Sequence, residues 1–137
     1  MSETGERSWV GSGTRWEEIA GYARALRIGE RIVVSGTTAS GPDGVVGAGD
    51  AAAQARFILK RIEKAITDLG GRMADVVRTR VYVSDIAHWE AVARVHGETF
   101  NSIRPANTLV EAKLVMPEYL VEIDAEAVVG SGDALQP

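Results

Sequence analysis

The chain's most regular pattern lies near its end. Val121, Ile123, Ala125 and Ala127 fall on one face of an extended segment, and Glu122, Asp124 and Glu126 fall on the other. The apolar row is a core face. The acidic row sets three carboxylates two residues apart on one side, where they repel one another, so water or a partner subunit has to cover it. Upstream, Ile103 to Val115 is a second extended run, closed by Met116-Pro117. Pro117 has no amide hydrogen and suits a connection or an edge rather than a central strand. Between Asp50 and Leu69 the period changes. Ala51, Ala55, Ile58, Ile62, Ile66 and Leu69 recur at three- and four-residue steps, leaving Gln54, Lys60, Arg61, Glu63, Lys64 and Asp68 on polar faces. Asp50 can cap this helix, and Gly70-Gly71 stop it. A second helix follows Asp85, with an inner stripe of Ile86, Trp89, Val92, His96 and Phe100.

The remaining elements are strands. Ala23 to Ile28 and Arg31 to Thr38 form a hairpin around Gly29-Glu30, and Gly41-Pro42-Asp43-Gly44 is a further turn. Val76 to Val83 points Val77, Thr79, Val81 and Val83 one way and Arg78, Arg80 and Tyr82 the other. The order ββαβαββ predicts an α+β sandwich with two helices on one face of a mixed sheet. Residues 1–20 read as a polar lead-in with Trp9 available as an anchor, 21–129 as the domain, and 130–137 as a flexible tail.

Composition narrows the function by exclusion. With 137 residues, 45% hydrophobic and 25% charged, one packed domain is expected. A net charge of −4 is the wrong sign for a nucleic-acid footprint. There is no cysteine for a thiolate site, and the two histidines, His88 and His96, do not make a histidine-rich metal site. No cofactor or metal is expected. No apolar run approaches the roughly 20 residues that span a bilayer, so the expectation is a soluble cytoplasmic protein without membrane contact.

The succession Gly21-Tyr22, Val34-Ser35-Gly36, Gln54, Thr79-Arg80-Val81-Tyr82-Val83, Asp85, Gly97, Phe100, Arg104-Pro105-Ala106 and Val121-Glu122-Ile123-Asp124-Ala125 resembles the Rid/YjgF family, also called L-PSP endoribonucleases. The resemblance runs from about Tyr22 to Val129. It implies a chorismate-mutase-like fold assembled as a homotrimer, with small-molecule clefts between adjacent subunits. It also implies hydrolysis of reactive enamines and imines to 2-oxo acids and ammonia. Glu122 matches the carboxylate that positions water, and Tyr22 and Gly36 match positions that line the cleft. One departure stands out. Where the family carries an arginine after Pro-Ala to hold the substrate carboxylate, this chain has Asn107, which offers an amide but no charge. Ala23-Arg24 replaces a serine-glutamine pair, Ala93 an asparagine and His96 a tyrosine. The chain thus resembles the arginine-lacking branches of the family.

Each of these residues has a plainer role available. Glu122 can be a solvated strand carboxylate, Tyr22 a half-buried packing residue, His96 a core histidine, and Asn107 a partner for backbone groups at a strand start. Among the arginines, Arg24 is the first choice to take over anion binding, being two residues from Tyr22 on what reads as one strand face. Three functions follow in order: a Rid-like hydrolase or deaminase with a changed substrate, a non-catalytic metabolite-binding trimer, and, last, an RNA-cleaving protein.

Overall fold

A computed structural model of the chain describes residues 6–135. The hairpin predicted around Gly29-Glu30 is present as β2 (Ala25–Ile28) and β3 (Arg31–Thr37), with Ile28 facing Arg31 across the turn. Gly29 sits at φ 58° while Glu30 keeps a negative φ, which fits a type II′ turn. Outside β2 lies β1 (Arg7–Val10), and between them α1 (Arg15–Ala20); both fall in the stretch read as a lead-in. A small hairpin of β4 (Ser40–Gly41) and β5 (Gly44–Val45) closes on the turn at Pro42-Asp43.

The long helix, α2 (Ala51–Asp68), begins where Asp50 accepts a hydrogen bond from the Ala53 amide at 3.0 Å. It ends in a Schellman motif. Gly70 takes φ 90°, its amide bonds the Thr67 carbonyl at 3.0 Å, and the Gly71 amide bonds that of Ile66 at 2.9 Å. After a 3₁₀ turn come β6 (Val76–Val83), α3 (Trp89–Phe100), β7 (Ala106–Glu111) and β8 (Val121–Val128). The main sheet runs β1-β2-β3-β8-β6-β7, antiparallel throughout except for the β6–β7 pair. The expected α+β layer of two long helices on one face of a mixed sheet is therefore what forms, with α1 and β1 added.

Core positions follow the predicted alternation where the ladder is regular. Val121, Ile123, Ala125 and Ala127 are all buried beneath Ile58, Ile62 and Ile66 of α2. Three assignments change. A register shift between Val76 and Arg78 turns Val77 outward and Val76 inward. In the second helix Val92, Val95 and Phe100 form the buried stripe, while Ile86 and Trp89, on the preceding 3₁₀ turn and the first helical position, stay half exposed. Gln54, assigned to a polar face, is fully buried. Its Nε2 donates to the Glu118 carbonyl at 3.0 Å and its Oε1 accepts from the Leu120 amide at 2.9 Å, clamping α2 to the entry of β8. Gln54→Leu should strand that carbonyl and amide and cost about 3 kcal/mol, read as a melting-temperature drop of about 10 °C by circular dichroism. A drop under 2 °C would show the clamp to be dispensable.

Within the stretch read as a flexible tail, residues 130–134 stay with the fold, and residues 136–137 lie outside the described residues. Asp75, 1% exposed, accepts from the amides of Gly132 at 2.9 Å and Gly130 at 3.2 Å, and docks a 3₁₀ turn over Ser131–Ala134. Among the described residues no helix is long and apolar enough to cross a membrane.

Candidate active site on the open face of the sheet

The face opposite α2 and α3 carries the acidic row of β8. Arginines on the flanking strands answer two of its three carboxylates. Glu126 meets Arg31 at 2.7 Å and Arg78 at 3.5 Å. Asp124 meets Arg80 at 3.0 Å and accepts from the Tyr82 hydroxyl at 3.2 Å. These pairs resolve the repulsion expected from the sequence, since Arg78 and Arg80 lie directly across the ladder from Glu126 and Asp124, and Arg31, opposite Val128, reaches Glu126 diagonally.

Glu122 is the exception: among the described residues it has no ion pair. On one side it faces Tyr82; on the other the β3–β8 register breaks between Val34 and Thr37, bringing Gly36 beside it. A Cβ on Gly36 would overlap the Glu122 Oε2 and lie 3.1 Å from its Cδ, so the carboxylate occupies the space that glycine leaves. Burial, with a smaller push from Asp124, raises the Glu122 pKa above 4.5, and the Arg24 charge only partly opposes this. Glu122 and Gly36 are thus brought together, and the fold favours a protonatable carboxyl there.

Arg24 lies just before β2 rather than within it, so strand alternation does not relate it to Tyr22. The residue is 4% exposed, and its guanidinium is committed to the chain itself. Nη1 donates to the Gly36 carbonyl at 2.6 Å and the Thr37 hydroxyl at 2.9 Å, Nε to the Ser12 hydroxyl at 3.2 Å, and Nη2 to Glu17 at 3.2 Å. Arg24 braces the bulge that holds Gly36 against Glu122. Glu17 is tied in turn by Ser12 and Thr14. Burial would raise its pKa, but hydrogen bonds from Ser12, Thr14 and Arg24 outweigh it and bring the value to about 2. This clasp was missed, although Thr14 and Glu17 carry the Thr-x-x-Glu spacing of a helix start.

Tyr22 follows Gly21, the left-handed residue that ends α1, and its ring centroid stands 5.6 Å from the Arg24 guanidinium. With Trp9, Leu26, Val33 and Ser35 it lines a cavity of about 590 Å³ on the open face. Trp9 is 68% exposed there.

Asn107 stands apart. It pairs with Thr79 in the β6–β7 ladder, and Thr79 pairs with Ala125, which faces the helices. Its Nδ2 donates to the Thr79 hydroxyl at 2.9 Å, and that oxygen lies 2.8 Å from Nε2 of His96 on α3. His96 stacks on Phe100 at 4.6 Å, and burial lowers its pKa. Within one chain Asn107 and Glu122 therefore occupy opposite faces of the sheet.

A two-helix layer on a mixed sheet, with a lone carboxyl seated over a glycine bulge on the bare face, places this chain in one class of fold. Residues 13–129 match the family model described as Endoribonuclease L-PSP. The chain belongs to that family, known also as Rid/YjgF. It is 48% identical to Rv2704 of Mycobacterium tuberculosis, a member of the YjgF/YER057c/UK114 family; that structure superposes with a TM-score of 0.83, covering 90% of this chain and all of the other. An uncharacterised Streptomyces coelicolor protein is 37% identical over 126 residues, 91% of this chain and 94% of the relative. The 3-aminoacrylate deaminase RutC of Acinetobacter baylyi is 35% identical over 110 residues, 80% of this chain and 87% of RutC.

Proposed function

We propose that this protein is a Rid-type hydrolase of a small imine or enamine, working in clefts between the subunits of a homotrimer. The carrying observation is Glu122, the one member of the acidic row without an arginine, half-buried on Gly36. A carboxylate so placed can take a proton from water as its oxygen adds to the C=N carbon, then return it to nitrogen. The hydroxyl proton then passes through the same carboxylate to nitrogen as the C–N bond breaks, so ammonia leaves and a C=O bond remains. Tyr22 and Gly36 line the cleft on the same side. The name of RutC, a deaminase of an enamine, supports the reaction class.

Asn107 joins such a site only from a neighbouring copy, because its own sheet separates it from Glu122. It brings no positive charge, so a carboxylate-bearing substrate is bound less well than with arginine. Native protein should hydrolyse 2-imino acids, generated in situ by an amino-acid oxidase, at least ~10-fold more slowly than family members that carry the arginine, and Asn107→Arg should raise the rate. Chains carrying both Asn107→Arg and Glu122→Gln should be inactive alone, yet mixing with native chains should restore about a quarter of the Asn107→Arg rate, because each site draws on two subunits. Native rates equal to those of arginine-carrying family members, a monomer by light scattering at micromolar concentration, or no rescue on mixing would each refute the reading.

A non-catalytic binding trimer is the second reading, favoured by the uncharged Asn107 alone. RNA cleavage ranks last: the net charge is −4, and His96 is held between Thr79 and Phe100.

A further inference from the structure

Arg61, on the same helix as Gln54, lies between two cavities that Glu122 does not line. One, of about 590 Å³, is bounded by Ser12, Thr14, Ser40, Met116 and Tyr119; the other, of about 390 Å³, by Phe57, Lys60 and Lys64. Its guanidinium lies over the Phe57 ring at 4.8 Å and is half-buried. Among the described residues it has no ion pair, and its only hydrogen bond is a long one, 3.4 Å, to the Ser40 hydroxyl. Four of its five N–H donors are left without a protein acceptor.

The surroundings make this a poor place for an uncompensated cation. Burial, and then the neighbouring Arg24 charge, act against the protonated form of Arg61, with Glu17 and Tyr119 opposing weakly. Glu17, the nearby carboxylate, cannot serve as counter-ion, because Ser12, Thr14 and Arg24 occupy its oxygens. Glu118 and Arg15 are exposed on the rim of the larger cavity, while Lys60 and Lys64 stand over the smaller one, Lys64 paired with Asp68 at 2.7 Å. In the same cavity the Ser40 and Tyr119 hydroxyls supply further donors, while those of Ser12 and Thr14 are spent on Glu17. The arrangement has donors, positive charge and volume suited to an anion.

We propose that the cavity beside Arg61 binds a small oxyanion, a carboxylate or phosphate group of a metabolite, at a site separate from Glu122. The guanidinium receives the oxyanion in its two-pronged fashion, with the Ser40 and Tyr119 hydroxyls of the same cavity donating beside it. Occupancy relieves the uncompensated charge and ties α2 to the β4–β5 hairpin and to the chain before β8.

Inorganic phosphate and acetate serve as probes, titrated at constant ionic strength and followed by melting temperature and by the Arg Nε resonances in ¹H–¹⁵N spectra. Saturating phosphate or acetate should raise the melting temperature of native protein by about 5 °C. Glu122→Gln should respond equally, Arg61→Lys less, and Arg61→Gln not at all. Without anion, Arg61→Gln should melt no lower than native, since it removes an uncompensated charge. A larger response to phosphate assigns the site to phosphate esters, and a larger response to acetate assigns it to carboxylates. The proposal is overturned if the Arg61 Nε resonance of native protein is unmoved by tens of millimolar of both probes. It is equally overturned if Arg61→Gln responds as native does, or melts several degrees lower in their absence.

Discussion

Arg24→Met is expected to lower stability by about 3–5 kcal/mol, the usual cost of removing one partner from a buried ion pair, and the melting temperature by about 10–15 °C. The substitution keeps most of the aliphatic bulk and removes every donor. It leaves Glu17 with a side chain only 10% exposed and no cation, and the Gly36 carbonyl and Thr37 hydroxyl without their strongest donor. The pH dependence provides an independent check. Glu17 titrates near 4.5 when free and at about 2 in the fold, so its ionised form stabilises the native state. That contribution is complete above about 4.5 and is lost as pH falls towards 2. Native protein should therefore lose more stability on acidification through this window than Glu17→Gln does. A double variant lacking both Glu17 and Arg24 charges should be less damaged than the two single losses summed. A melting temperature within 3 °C of native for Arg24→Met would show that the brace is not structural.

What the chain reveals by pattern depends on whether one side chain or one ladder carries the information. The α2 helix is local: Asp50 caps it, an isoleucine stripe seats it, and two glycines end it, so its limits were readable to within a residue. The alternation of β8 was equally plain. Its meaning was not, because the arginines that neutralise Asp124 and Glu126 come from β3 and β6, and only the register brings them across. Arg24 was misplaced for a related reason. Alternation was extended back to Tyr22, whereas β2 begins at Ala25 and the preceding residues turn out of α1. The α1 helix itself has no buried residue, so hydrophobic periodicity cannot find it. Gln54 shows the reverse case, a polar residue buried because two backbone groups 64 and 66 residues away need partners. Glu122 is marked as a candidate site residue by family resemblance. That no arginine forms an ion pair with it, among the described residues, is visible only in three dimensions.

Glu122→Gln and Gly36→Ala should separate stability from chemistry at this carboxyl. The fold raises the Glu122 pKa above 4.5, so ionising it costs native stability: the benefit of the protonated form is full below 4.5 and fades as pH rises through the raised value. Glutamine keeps the shape without the charge. It should match native protein at pH 4 and melt a few degrees higher at pH 7–8, while any imine hydrolysis falls by about 10²–10⁴-fold, the contribution of a positioned acid–base group. Gly36→Ala acts on the same pair from the other side. Gly36 does not take a positive φ, and the added methyl meets only the mobile end of the Glu122 side chain. The backbone can therefore keep its path while the carboxyl is pushed off its seat. Melting should change by no more than about 3 °C at neutral pH, within the range of a small local rearrangement, yet hydrolysis should fall nearly as far as in Glu122→Gln. Combining the two changes should add little further loss of rate, since both remove the same positioned carboxyl. Glu122→Gln with native rate would exclude Glu122 from the chemistry. A Gly36→Ala variant that melts 10 °C lower would instead mean that the bulge, and not the carboxyl, yields to the methyl.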